Sequence, residues 1–192
     1  VFLLCFTIYF YYFFEDKGVL ATQKSIWLIF LMLDVSILVC YFFGYFFNIY
    51  SRPVAMLALL ALMLLGRRDA IFLNVIFALL MFAIDNFSNF SEINEYVNAL
   101  PGTPLMAFSA GMIAIFVGNR VQTRLRSFLT GFAVCAPILL MVACLEFNRG
   151  IEMVYLLLFG LEEGILSAVF FMALLPVFEA VFNCITDYRL RE

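Results

Sequence analysis

The basic residues of this chain are concentrated in alternate gaps between its hydrophobic stretches. Of eleven Lys and Arg residues, only Arg52 and Arg149 lie in the intervening gaps. The other nine are Lys17, Lys24, Arg67, Arg68, Arg120, Arg124, Arg126, Arg189 and Arg191. Because Lys and Arg near the ends of membrane spans are retained on the cytoplasmic side, this bias predicts the topology. We predict that the N-terminus faces outside and the C-terminus inside.

The composition indicates that lipid is the main solvent of the chain. Hydrophobic residues make up 66% of the sequence and charged residues 13%, which is more apolar surface than a soluble domain of this length can bury. We therefore predict an all-α membrane protein, a bundle of about seven transmembrane helices forming one polytopic domain over residues 1–192. The net charge of -3 offers no concentrated basic patch, which argues against a nucleic-acid partner.

The predicted spans differ in length. The apolar stretches are residues 1–14, 25–49, 53–66, 70–84, 104–119, 127–147 and 151–183. Because a helix needs about 20 residues to cross a bilayer, the third and fourth must sit upright, recruit flanking residues or be enclosed by neighbours. The turn Gly66-Arg67-Arg68-Asp69 favours two separate spans, since each arginine at mid-bilayer would cost about 2.5–3.5 kcal/mol.

One long polar connection joins two of these stretches. It runs from Asp85 to Thr103 and contains three acidic residues and no basic one. We predict that it lies outside the membrane, on the face opposite most of the arginines.

Asp34 is a charged residue near the middle of the second apolar stretch. An intramembrane carboxyl is a functional candidate, because its ionisation in hydrocarbon is costly. The alternative is a protonated or hydrogen-bonded carboxyl that joins helices, and we favour this structural role.

Other polar and small residues within the stretches are predicted to mediate helix packing. We expect Asn74, Ser109 and Thr130 to form hydrogen bonds between helices. Gly111 and Gly131 should allow neighbouring backbones to approach closely.

Glu162 and Glu163 interrupt the last and longest stretch. Two adjacent carboxylates at mid-bilayer would be expensive, and residues 165–183 are almost long enough to cross alone. We therefore predict that residues 151–161 lie near the outer surface and that both glutamates lie at the interface. A proton-relay or cation site is the alternative.

The final crossing carries Pro176 and Glu179 on one face. Proline removes the hydrogen bond to the carbonyl of Met172 and usually bends a helix. A bent helix with a carboxylate near its inner end could transmit motion to the chain that follows. A packing kink with a snorkelling acid explains the same residues.

The C-terminal segment resembles a known family. Bacterial seven-transmembrane receptors with an intracellular HD hydrolase have a final span with Pro-x-x-Glu, a Phe, Thr-Asp or Thr-Asn, and Leu-x-Glu. The matching positions here are Pro176, Glu179, Phe182, Thr186, Asp187, Leu190 and Glu192. The run Ser109-Ala110-Gly111, followed by Arg120, Arg124, Arg126 and Gly131, is also similar to the family's basic inner loop. Asn183 departs from the pattern, because a Gly is usual there.

The resemblance implies a longer protein in the bacterial plasma membrane. The start of the chain at Val1, within a hydrophobic run, agrees with this expectation. An extracellular sensing domain is expected before this chain, and after it a metal-dependent HD phosphodiesterase in cis that hydrolyses cyclic di-AMP. The chain has no histidine, so we expect no catalytic residue, metal site or cofactor in it. The expected partners are the lipid bilayer, the HD domain and an unknown extracellular or intramembrane ligand, and a homodimer is left open.

Three functions follow from these observations. The first is a sensor and transmission domain that regulates the hydrolase, with Pro176, Glu179 and Asp187 in signal transmission. Its inner-face anchors would be Arg67, Arg68, Arg120, Arg124 and Arg126. The second is a small ion or solute transporter or channel, with a polar site at Asp34, Glu162 and Glu163. The third is a passive membrane anchor.

Overall fold

The computed structural model describes residues 2–15, 23–87, 102–118 and 124–182. Within these ranges the chain forms seven α-helices and no strand, which confirms the predicted all-α class. The helices are α1 (Phe2–Glu15), α2 (Gln23–Phe46), α3 (Met56–Leu64), α4 (Arg67–Phe87), α5 (Thr103–Gly118), α6 (Arg124–Leu145) and α7 (Ile151–Phe182). Each helix overlaps one of the seven apolar stretches.

The helices differ in their capacity to cross a membrane. Three described helices, α2, α4 and α7, are long and apolar enough to do so. Helices α1, α3 and α5 are apolar but shorter, and α6 has a shorter apolar part, Leu129–Leu145, among the residues whose side chains the structure describes. The fourth stretch, predicted as 70–84, gains length by recruiting flanking residues at both ends, because α4 runs from Arg67 to Phe87.

The third stretch is a short helix enclosed by protein. Helix α3 has nine residues and is therefore about 13.5 Å long, less than half of a bilayer's hydrocarbon core. Every residue from Asn48 to Leu62 is buried. Of the three alternatives left open for this stretch, the structure shows enclosure by neighbours. Irregular backbone at membrane depth is tolerated where protein surrounds it.

Local sequence explains where α3 begins and ends. Arg52 precedes Pro53 and is extended, with φ -68° and ψ 125°, as the proline ring requires of its predecessor. At the other end Gly66 has a φ of 102°, which favours glycine. Its N–H donates to the Ala61 carbonyl, and α4 begins at the next residue. The predicted separation of the two stretches is confirmed.

Helices α6 and α7 are in close contact at two glycines. A Cβ added to Gly131 would overlap the carbonyl oxygen of Gly164, and a Cβ added to Gly164 would overlap that of Gly131. The Cys135 thiol, beside them, lies 3.4 Å from the Leu161 carbonyl oxygen of α7. The predicted role of Gly131 in close backbone approach is confirmed.

The predicted interhelical hydrogen bonds have different outcomes. Asn74 of α4 donates to the Phe108 carbonyl of α5 at 3.0 Å, as predicted. Gly111 of α5 makes room for this amide, because a Cβ there would overlap it. The prediction for Ser109 is wrong: its hydroxyl donates to the Leu105 carbonyl of its own helix at 2.7 Å. The carbonyl one turn back lies within reach of a helical serine hydroxyl and can accept this second hydrogen bond beside its backbone one.

Helix ends meet in two groups, which we name the Arg67 end and the Arg52 end. At the Arg67 end, α1 meets the start of α4 through Tyr11 and Asp69. The end of α5 lies there too, with Phe116 under the Arg67 guanidinium. At the Arg52 end, α2, α4, α5 and α6 surround the chain that enters α3.

Candidate functional site, a buried polar cluster

The most polar region in the interior of the described structure lies at the Arg52 end. We call it the Arg52 cluster. Its members are Tyr50, Arg52, Asp85, Thr103, Glu146, Glu163 and Ser167, all of them buried. They come from the segment before α3, from α4, α5 and α7, and from Glu146 directly after α6, so the cluster joins five parts of the chain.

An ion pair forms the centre of the cluster. Arg52 Nη1 lies 2.8 Å from Asp85 Oδ1 and 2.9 Å from Asp85 Oδ2. The Thr103 hydroxyl donates to Asp85 Oδ2 at 2.8 Å. The two charged side chains are only 2% and 1% exposed. Removing one member of such a pair leaves an uncompensated buried charge, so the two depend strongly on each other.

Helix α2 has a glycine where the arginine passes. A Cβ on Gly44 would overlap the guanidinium of Arg52. Pro53 holds Arg52 in an extended conformation, and Gly44 leaves space for its side chain beside α2. The sequence therefore provides for the buried arginine at two separate positions.

Glu163 brings the last helix into the cluster. Its Oε1 accepts a hydrogen bond from the Ser167 hydroxyl at 2.9 Å, one turn further along α7. The same oxygen lies 3.4 Å from the backbone nitrogen of Ala55, at the start of α3. A carboxylate is favourable at a helix N-terminus because of the partial positive charge there. Glu163 thus joins α7 to the buried half-helix α3.

A second carboxyl connects the cluster to α6. The Tyr50 hydroxyl donates to Glu146 Oε1 at 2.9 Å, and both groups are buried. Asn48 holds the tyrosine in place by accepting a hydrogen bond from its backbone N–H at 3.0 Å. The 3-10 turn Ile49–Ser51 therefore points this side chain toward the end of α6.

A small cavity lies among these groups. Tyr50, Arg52, Thr103 and Glu163 contribute to its wall, together with apolar residues. Its volume is about 10 Å³, roughly that needed by one water-sized species. Glu163 Oε2 is buried and accepts no hydrogen bond from a described residue. The cluster can therefore bind one small polar species or a proton, and binding of either would change the distribution of charge within the cluster.

The two glutamates of the last stretch differ. Glu163 is 1% exposed, whereas Glu162 is half-buried. The prediction that both lie at the interface is wrong for Glu163, which other helices enclose. A carboxyl that would be costly in hydrocarbon is tolerated here, because neighbouring protein groups surround it. Helix α7 is continuous from Ile151 to Phe182. At 1.5 Å per residue it is about 48 Å long, more than the hydrocarbon core needs, so the placement of residues 151–161 near the outer surface stays a prediction.

Asp34 lies elsewhere. It is exposed on α2 and forms no hydrogen bond or ion pair with a described residue. The structural role that we favoured, a hydrogen bond between helices, is therefore wrong among the described residues. Asp34 instead forms part of the wall of a groove between α1, α2 and α4.

The predicted anchors and transmission residues lie away from the Arg52 cluster. Arg67 and Arg68 are exposed at the start of α4, whereas Arg120 and the side chains of Arg124 and Arg126 lie outside the described residues. Pro176 is exposed and Glu179 half-buried, both in the last third of α7. Asp187 lies outside the described residues. The bend at Pro176 stays a prediction.

Sequence reasoning missed most of the cluster. Arg52 carried a signal, since it departs from the alternate-gap pattern of basic residues. Asp85 was assigned to the start of the polar connection, and its burial in the last turn of α4 was not predicted. Tyr50 and Glu146 each lie at the edge of an apolar stretch, where tyrosines and acids are ordinary.

The fold and this cluster define an all-helical membrane protein with a buried charged centre. Over residues 1–186 the sequence matches the family described as 7TM receptor with intracellular HD hydrolase. The chain belongs to this family, as its C-terminal motif predicted. No curated protein and no solved structure matches the chain.

Proposed function

We propose that this chain is a transmembrane sensor and transmission domain that anchors and regulates a cytoplasmic HD-type phosphodiesterase acting on cyclic di-AMP. One observation carries the proposal: Glu163, a member of the buried Arg52 cluster, belongs to the same uninterrupted helix that extends to Phe182. The last described helix therefore has one part inside the polar centre and its other end next to the C-terminal segment.

The cluster can be the part of the domain that responds to the signal, because its members come from several helices. A signal regulates only if it binds two arrangements of the bundle with different free energies. In a region of low dielectric, a small change in the position of a charged group has a large energetic effect. A ligand that moves α4 or α5 would disturb Asp85 or Thr103, and Glu163 would respond through the shared cavity.

Helix α7 is the proposed output. From Glu163 to Phe182 it extends about 28 Å, at 1.5 Å per residue. Pro176 removes one backbone hydrogen bond in this part, which allows a bend, and Glu179 follows one turn later. Asp187 lies in the segment that continues toward the hydrolase. A shift of Glu163 would reach that segment as a movement of the helix end.

The proposed topology has seven crossings, with the N-terminus outside and the C-terminus inside, in the bacterial plasma membrane. The two ends of the bundle support it: α1 and α5 finish at the Arg67 end, where α4 begins. Side-specific labelling of single cysteines tests it. An impermeant maleimide added to intact cells should label Asn148→Cys, at an exposed position of the 3-10 turn after α6, and spare Arg67→Cys, in a background without native cysteines. Equal labelling of the two variants contradicts the topology.

The regulatory proposal is tested with two adjacent substitutions in the full-length protein. Glu163→Gln replaces the buried carboxyl group by an amide of nearly the same shape, and Glu162→Gln makes the same change on the half-buried neighbour. We expect Glu163→Gln to change the rate of cyclic di-AMP hydrolysis in nanodiscs by about fivefold or more, the usual lower bound of allosteric coupling. Glu162→Gln should stay within twofold of the unmodified protein, as roughly expected for a site without coupling.

The alternatives give different results. Equal rates for both variants, in protein that remains folded, would contradict regulation through the cluster. Retained regulation after replacement of this domain by an unrelated multispan protein would favour a passive anchor. Ion or proton flux in liposomes that Glu163→Gln abolishes would favour a transporter or channel.

A further inference from the structure

A second site lies on the side of the bundle, between α1, α2 and α4. It is a groove of about 330 Å³, within the range of pockets that hold small organic ligands. Its walls include Ile8 of α1, Leu33 of α2 and Leu80 and Ile84 of α4. Among the described residues that form the wall, Asp34 is the only charged one. The groove shares no wall residue with the cavity of the Arg52 cluster.

The position of Asp34 within an apolar helix indicates that its carboxyl group has a binding partner. It lies near the centre of the 24-residue helix α2, about 16 Å from its start and about 18 Å from its end at roughly 1.5 Å per residue. Its side chain is exposed and forms no hydrogen bond or ion pair with a described residue. A carboxylate that faces hydrocarbon at this depth is costly, and such groups are normally paired.

The chemistry of the groove limits the partner. The apolar walls favour an alkyl chain, which other bilayer components also supply. In its ionised form the Asp34 carboxylate only accepts hydrogen bonds, so it needs a donor, and a charged donor forms the stronger bond. A primary ammonium offers three donors and the opposite charge. A fatty acid would bring a second negative charge beside the first, which is unfavourable.

We propose that this groove binds a lipophilic amine, with its alkyl chain along Leu33, Leu80 and Ile84 and its ammonium paired with Asp34. The site is distinct from the Arg52 cluster and does not depend on the regulatory function. It gives the carboxyl of Asp34 a partner that no described residue provides. Charge complementarity at the centre of an apolar wall selects this occupant over the neutral lipid chains around it.

The test uses a photoreactive dodecylamine, with a diazirine in the alkyl chain, and the full-length protein in nanodiscs of neutral lipid. Peptide mass spectrometry locates the labelled residues after irradiation. Labelling is expected on α2 and α4 at the groove, to saturate with probe concentration and to be displaced by unlabelled dodecylamine. Dodecanol and lauric acid, of the same chain length, should displace it at least about tenfold less well, because neither forms the ion pair.

Two variants and one matched control separate the groove from general lipid contact. Asp34→Asn removes the charge and keeps the shape, and Ala83→Phe fills the groove. Each should lower labelling at the groove by about tenfold. Leu79→Phe adds a similar ring to the same helix at a position that is 48% exposed and lies outside the groove wall. It should leave labelling unchanged.

The proposal has clear contrary outcomes. Labelling that does not saturate, or that lauric acid displaces as well as dodecylamine, would overturn it. Equal labelling of Asp34→Asn and the unmodified protein would overturn the role of the carboxyl. A changed hydrolysis rate in Glu163→Gln bears only on the regulatory function, so the two proposals fail separately.

Discussion

Two arginines at opposite ends of the bundle show how differently one residue type can be used. Arg67 is exposed at the start of α4, with its guanidinium carbon 4.9 Å from the centre of the Phe116 ring. Arg52 is 2% exposed and paired with Asp85 by two short hydrogen bonds. The first can reach water and lipid head groups, whereas the second depends on protein groups alone.

The comparison concerns energy as well as position. An exposed arginine beside an aromatic ring gains little, about 0.5–1 kcal/mol. A buried ion pair can be neutral overall, yet losing one member is expensive. Arg52 is therefore compatible with only one arrangement of its neighbours. Arg67 interacts weakly and is compatible with many arrangements. Stability measurements can test this distinction directly.

The largest effect is expected from Asp85→Ala. This variant leaves the Arg52 charge buried without its carboxylate and should lower the free energy of unfolding by about 3–5 kcal/mol. SDS titration of the purified protein in mixed micelles measures the change. In the double variant Arg52→Met with Asp85→Leu, much of the stability should return, because no unpaired charge remains. A cost below 1 kcal/mol for Asp85→Ala, of the size roughly typical of surface positions, would contradict a buried pair.

The next largest effect is expected from Tyr50→Phe. The buried Tyr50 hydroxyl donates to Glu146 at 2.9 Å, and its loss should lower the free energy of unfolding by about 1–3 kcal/mol. The same titration measures it. Tyr45→Phe is the matched control: Tyr45 is 45% exposed at the end of α2, so we expect a change within about 0.5 kcal/mol. Equal effects of the two variants would contradict the proposed role of the Arg52 end.

Hydropathy and charge patterning predicted the elements but not their enclosure. The seven apolar stretches overlap the seven described helices, because apolar runs must form helices in lipid. The same patterns could not show that α3 is enclosed or that Glu163 faces protein, since both depend on which helices become neighbours. A carboxyl is costly in hydrocarbon and acceptable among donors, and the sequence alone does not distinguish these surroundings.

The site predictions show the same limit. We predicted that Asp34 forms a hydrogen bond between helices, because it lies within an apolar stretch, but its side chain lies in the wall of a groove. Asp85 was assigned to the start of the outer polar connection, and its buried pairing with Arg52 was not predicted. In both cases the direction of a side chain was not predicted. Helical periodicity is a weak guide here, because helices in a bundle are apolar on nearly all sides.

A smaller effect is expected at the Arg67 end. Arg67→Gln removes the cation above the Phe116 ring and should cost about 0.5–1 kcal/mol. A double-mutant cycle with Phe116→Leu isolates the interaction, with an expected coupling energy of the same size. A coupling above 2 kcal/mol, roughly the value for a desolvated site, would show that Arg67 is as enclosed as Arg52.

The smallest effect is expected from Tyr11→Phe, the same chemical change as Tyr50→Phe at the other end. The Tyr11 hydroxyl lies 3.3 Å from Asp69 in a partly buried position, and its ring remains stacked on Phe72, with the ring centres 3.8 Å apart. Because the lost hydrogen bond is long and water can replace it, we expect a cost of about 0.5 kcal/mol or less. The SDS titration of both tyrosine variants provides the measurement. If Tyr11→Phe lowered the free energy of unfolding as much as Tyr50→Phe, burial would not distinguish the two ends. That result would contradict the description of the Arg52 cluster as the polar centre of the bundle.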